Sequence, residues 1–141
     1  MKLPVAPSPV GDYQAVVIRQ NFGCVSGQFP IMDNRLAFQG KIGEQLNLEQ
    51  AKQAMQVTAL NVLSHIAHAT DDFKQLDGLL RLEGHLVCSE GFMDEVKVLN
   101  QASKVFNRHL KKKGEHTRAL FIHNKLPLDS PIELLVSFLV K

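Results

Sequence analysis

The sequence predicts an α+β fold: two helices packed on one face of a mostly antiparallel or mixed sheet. Three observations carry that prediction. Apolar residues repeat every second position in several segments and at helical spacing in two long ones. The elements run β-β-(β)-α-β-α-β-β, an order that suits a layer of helices over a sheet. At 141 residues, 45% hydrophobic and 21% charged, the chain suits one compact soluble domain spanning 1–141.

Residues 1–12, with Pro4, Pro7 and Pro9, form an extended N-terminal arm. The opening MKLPVAPSP has no apolar h-region, so it is not read as a secretory signal. QAVVIRQ (14–20) and NFGCVSG (21–27) are strand-like and close enough for a hairpin turning at Gln20-Asn21. Residues 28–46 are loop-rich, with a short strand at RLAF (35–38). Asn47 caps a helix, with Gln50 three positions on as in a capping box. Met55, Ala59, Val62, Leu63 and Ile66 mark its buried face.

LLRLEGHLVC (79–88) alternates instead. Leu80, Leu82, Gly84, Leu86 and Cys88 fall on one face; Arg81, Glu83 and His85 fall on the other. A second helix covers about 94–112 along Val96, Leu99, Ser103, Phe106 and Leu110, and Gly114 ends it as a C′ residue. TRALFI (117–122) and IELLVSFLV (132–140) are the closing strands, joined by HNKLPLDSP. Helices cover only one sheet face, and the row Arg81, Glu83, His85, interspersed with Leu79 and Val87, suits neither free solvent nor a dry core. A partner subunit in a symmetric oligomer would cover such a face.

Net charge is +2, and much of the excess is RHLKKKG (108–114), read as a solvated helix end rather than a nucleic-acid patch. No apolar run approaches the ~20 residues that span a bilayer. Cys24 and Cys88 lack metal or disulfide spacing and are read as small, reduced core residues of a cytoplasmic protein. Neither GxxxxGK[ST] nor GxGxxG occurs, so a nucleotide site lacks its usual parts. The scattered histidines have no zinc spacing, so no metal is expected. Ser26 ends a strand before a glycine but has no GxSxG elbow.

The residue that asks most of the fold is Arg118, a permanent charge in an otherwise apolar strand. Glu133 is equally alone in the last strand. If the last two strands pair antiparallel, the two side chains oppose each other about 5 Å apart at Cβ. One reading is a half-buried salt bridge that merely balances two charges. The other is a site in which Arg118 forks onto a ligand carboxylate while Glu133 handles a proton or a water.

Several stretches together resemble the RidA family, also called YjgF or L-PSP-like. They are PSPVGDY (7–13), CVSGQFP (24–30), KIGEQLN (41–47), LNQASKVF (99–106), TRAL (117–120) and LPLDSPIELLV (126–136), in the family's order along nearly the whole chain. The long arm and KIGEQLN are similar to the family's longer subgroup. The resemblance implies a chorismate-mutase-like fold, with sheets facing the centre of a homotrimer and three clefts between subunits. It further implies cofactor-free hydrolysis of reactive 2-enamine/2-imine carboxylates to 2-oxo acids and ammonia. Residue by residue, it implies that Arg118 binds the substrate carboxylate and Glu133 activates or positions water. Tyr13, Ser26 and Asn100 would line the pocket, and Leu120 stands where many members have a cysteine. Asp12, Thr117 and Leu135 also depart from the family pattern. Two alternatives stay open: a non-catalytic trimer that binds small carboxylates or a partner protein, and an endoribonuclease. The latter is opposed by the lack of a histidine pair suited to cleavage and of a basic-aromatic groove.

Overall fold

The computed structural model describes residues 2–141. Strands β1 (Val16–Arg19) and β2 (Phe22–Gln28) form the expected hairpin. Arg19 pairs with Phe22, and Gln20 turns the chain with φ 53°, in the left-handed region. The anticipated short strand is half of a miniature hairpin, β3 (Ile31–Met32) and β4 (Arg35–Leu36). Helix α1 (Leu48–Ala69) starts at a full capping box. Asn47 Oδ1 accepts from Gln50 N at 2.8 Å, and Gln50 Oε1 accepts from Asn47 N at 2.9 Å. Strand β5 (Leu76–Val87), helix α2 (Glu95–Leu110), strand β6 (Thr117–His123) and strand β7 (Ile132–Val140) complete the chain.

The five-stranded sheet has the order β1-β2-β7-β5-β6. Only β5 and β6 run parallel. This corrects the expected antiparallel pairing of the last two strands: β5 lies between them. The cause is α2, which carries the chain back over the sheet so that β6 restarts in the direction of β5. Strand β7 then enters on β5's other edge.

Both helices pack on one face, as predicted. Met55, Ala59, Val62, Leu63 and Ile66 of α1 and Leu99, Ala102 and Phe106 of α2 close over Leu82, Leu86, Leu134 and Phe138, all fully or almost fully buried. Each large side chain buried this way contributes roughly 1.5–3 kcal/mol. Helix α2 comes closest at Gly84, where a Cβ would stand 2.5 Å from Leu99 Cδ1.

Four local expectations are corrected. A bulge between Leu79 and Arg81 shifts the alternation of β5, so Leu79 is buried and Leu80 faces out. Val96 lies off the buried stripe of α2 at 57% exposure. Helix α2 ends in a 3-10 turn at 111–114, and the positive φ belongs to Lys111; Gly114 is needed instead because a Cβ there would meet the Phe106 carbonyl at 2.5 Å. Cys24 is exposed on the uncovered face opposite Ser137, because β2 turns Val25 inward. Cys88 is half-buried, and burial pushes its thiol up to about 11. Among the described residues no helix is long and apolar enough to cross a membrane.

Candidate functional site

The antiparallel register places Glu133 opposite His85, whereas Arg118 pairs with Leu82 on the parallel ladder. Leu82 points to the helices and His85 points away, so Arg118 and Glu133 stand on opposite faces with a strand between them. Their direct salt bridge is therefore excluded, and the site residues fall into two halves.

The first half is the edge between β6 and α2. Arg118 is half-buried and donates from Nη2 to Asn100 Oδ1 at 2.7 Å and from Nη1 to Ser103 Oγ at 3.0 Å. Ser103 Oγ also lies 2.9 Å from His116 Nε2, and His116 Nδ1 lies 2.6 Å from the Gly114 carbonyl. The carbonyl can only accept, so Nδ1 carries the proton, Nε2 accepts from the Ser103 hydroxyl, and the hydroxyl oxygen receives Arg118. Asn100 and Ser103 share a helix face by their spacing of three. Leu120, opposite Gly84, packs at the core's margin beside this group. Arg118 has no acidic partner within 4.0 Å among the described residues, so its charge is met only by neutral acceptors.

The second half lies on the uncovered face. Burial raises Glu133 above the usual carboxyl value, against the opposing pull of His85 and His123. Its carboxylate sits over Gly27, where any Cβ would collide with it. Ser26, beside that glycine, donates from Oγ to the Gln14 carbonyl at 2.6 Å. Tyr13 is 44% exposed, and its hydroxyl accepts from Val10 N at 3.4 Å. Around Glu133, His85 Nδ1 approaches His123 Nε2 to 2.7 Å, and His85 Nε2 lies 3.3 Å from Glu83 Oε1. Arg81 Nε donates to Glu83 Oε2 at 3.2 Å. Burial pushes Glu83 up, but the hydrogen bonds from Arg81 and His85 outweigh it and hold that carboxyl low.

Three residues of these clusters escaped sequence reasoning. Ser103 carries a readable signal in its spacing of three from Asn100, although the sequence also sets it in the stripe of the second helix. His116 and His123 belong to the scattered histidines, whose spacing carries no signal. Only the parallel register of β5 and β6 brings His123 beside His85. A cleft of about 530 Å³ lies elsewhere, between the N-terminal arm, β3 and α1. No group of three or more His, Cys, Asp or Glu among the described residues could hold a metal ion.

Comparisons with known proteins point one way. The sequence model of the family described as "YjgF/chorismate_mutase-like, putative endoribonuclease" matches residues 1–140. Protein TCP17 of Trypanosoma cruzi is 28% identical over 138 residues, covering 95% of this chain and 84% of that protein. A Shewanella oneidensis crystal structure, described as a "putative endoribonuclease", superposes with a TM-score of 0.94 at 24% identity, covering 99% of this chain and 92% of that one. Escherichia coli TdcF with bound serine superposes with a TM-score of 0.69 at 16% identity, covering 95% and 92%.

Proposed function

The chain belongs to the YjgF/chorismate-mutase-like family, and on that premise we propose that it hydrolyses reactive 2-enamine/2-imine carboxylates to 2-oxo acids and ammonia. The catalytic clefts would lie between the subunits of a homotrimer. The observation that carries this reading is the unneutralised Arg118 guanidinium. Of its five N–H donors, two are taken by Asn100 and Ser103, and both acceptors are neutral. A half-buried cation held this way is set to receive an anion. Serine in TdcF, with its carboxylate next to a nitrogen-bearing carbon, is a ligand of that shape.

The chemistry asks little else. An imine carbon is already electrophilic, so the protein need only grip the carboxylate, exclude alternatives and deliver water. Glu133, lifted by burial, is suited to take a proton from that water. Arg118 and Glu133 cannot meet within one chain, so a complete site needs the Arg118 half of one copy beside the Glu133 half of another. Val17, Phe22, Leu80 and Phe121, each 38–45% exposed on the uncovered face, supply apolar area for such an interface.

Subunit mixing tests both statements. Arg118→Ala and Glu133→Gln should each lose ammonia release from freshly generated 2-iminobutyrate. After exchange of subunits in an equal mixture, about a quarter of the sites pair the two intact halves, and activity returns in that proportion. A mixture that stays inactive although mixed oligomers form would put both residues in one chain's site. Wild-type protein that leaves the spontaneous rate unchanged would end the enzymatic reading, and binding of 2-oxobutyrate without turnover would replace it with a carboxylate-binding role.

A further inference from the structure

Hydrolysis of an imine moves two protons from the oxygen of one water to the departing nitrogen. The first moves when oxygen bonds to carbon and the C=N electron pair passes to nitrogen. The second moves when the C–N bond breaks, C=O forms and ammonia leaves. A lone carboxylate must load and unload a proton for each.

Glu133 is not lone. Across the ladder it faces His85, whose Nδ1 lies 2.7 Å from His123 Nε2. At that separation one proton fits between the rings, one nitrogen donating and the other accepting. Glu83 settles the direction, because its carboxylate accepts from His85 Nε2–H at 3.3 Å. His85 Nδ1 is then the acceptor, His123 Nε2–H the donor, and the outer Nδ1 of His123 is left to take up a proton. Phe121 stacks on His85 with centroids 4.9 Å apart and planes 15° apart, fixing the ring. Neither histidine is within the 4.0 Å ion-pair distance of Glu133, so a proton passing between them needs a carrier such as one water. The charged groups around His85 are Arg81 and Glu83 from β5, His123 from β6 and Glu133 from β7; β2 brings none.

We propose that His85 and His123 form a proton-sharing dyad, poised by Glu83, that exchanges protons with Glu133 through one bridging water. Its catalytic use rests on the imine-hydrolysis reading; the proton sharing does not. The test therefore has two arms, both on the intact oligomer. In the first, the pH profile of 2-iminobutyrate turnover is measured for wild type, His85→Gln and His123→Gln. Both variants should lose at least tenfold in kcat with KM within about twofold, and both should lose the limb of the wild-type pH profile that the dyad sets. Wild-type profiles in both variants, with wild type active, would overturn the relay and spare the function.

The second arm follows the histidine ring nitrogens and the Glu133 carboxyl by NMR against pH, with no substrate. Coupled two-step titration of His85, His123 and Glu133, simplified in His123→Gln, supports the dyad even if wild type proves inactive. Independent single titrations would overturn it whatever the activity.

Discussion

Arg118 sits at the helix-covered face among neutral acceptors, whereas Glu133 sits on the bare face among groups that gain and lose protons. The contrast would separate the two tasks of the proposed hydrolysis. A guanidinium never titrates, so the Arg118 half has constant charge; Asn100 and Ser103 add direction without cancelling it. The Glu133 half is the reverse. Burial lifts its carboxyl, two imidazoles pull it back, and the balance leaves a group able to change its protonation state. On the proposed reading, binding would fall to the permanent charge and proton transfer to the adjustable one.

The largest expected effect comes from removing the permanent charge. Arg118→Ala should lower kcat/KM by about 100-fold or more, the loss expected when a charge-assisted carboxylate contact disappears. Arg118→Lys should recover little of it, since an ammonium cannot reproduce the fork that Asn100 and Ser103 orient. Full recovery with lysine would reduce this half to a simple point charge.

Next comes Glu133→Gln, expected to cut kcat about 100-fold with little change in KM. Its stability should move the other way. A carboxyl whose folded pKa is raised stabilises the fold below its unfolded value, about 4.3 in a free chain, and that contribution is lost as pH rises through the folded value. Removing the buried charge should therefore raise Tm at pH 7 and leave it unchanged at pH 4. A lower Tm at pH 7 would mean that the ionised carboxylate is well paired.

Smaller still is Ser103→Ala. It removes one of the acceptors that aim the guanidinium, worth about 1 kcal/mol, so KM should rise about fivefold while kcat holds. An equal loss in kcat would show that Ser103 acts on the reaction rather than on binding.

The smallest effect tests a histidine of α1 that belongs to neither half. His65 lies under the N-terminal arm with Nε2 buried and unpartnered. Burial lowers its pKa, with His68 adding to the shift and the Pro7 carbonyl opposing it. Its stabilisation is present above about pH 6.5, the unfolded value, and is lost as pH falls through the lowered folded value. His65→Gln should blunt that acid limb in thermal melts and leave kcat/KM at neutral pH untouched. A change in turnover would tie the arm to the site.

Much of the architecture was legible along the chain because its signals are local. The Asn47 and Gln50 cap, the apolar stripe of α1 and the turn at Gln20-Asn21 each depend on residues a few positions apart. Leu80 and Val96 were misplaced for a similarly local reason: a one-residue bulge and a slightly rotated helix face leave no mark on composition. The sequence marked Arg118 as an isolated charge but not its neighbours, and the fold gives it two neutral acceptors, Asn100 and Ser103. The imagined partnership with Glu133 did not survive, because strand order is set by where α2 returns the chain, not by which strands are adjacent in sequence.

From one dimension, then, came the elements, their caps and the presence of two isolated charges in apolar strands, all consequences of short-range sterics and hydrophobic spacing. Three dimensions decided which charge meets which neighbour. The parallel laying of β6 on β5 turned Arg118 toward α2, and the same stroke set His123 against His85 and Glu133. Strand register is a long-range property: moving β6 by one residue relative to β5 would exchange its two faces and scatter both clusters.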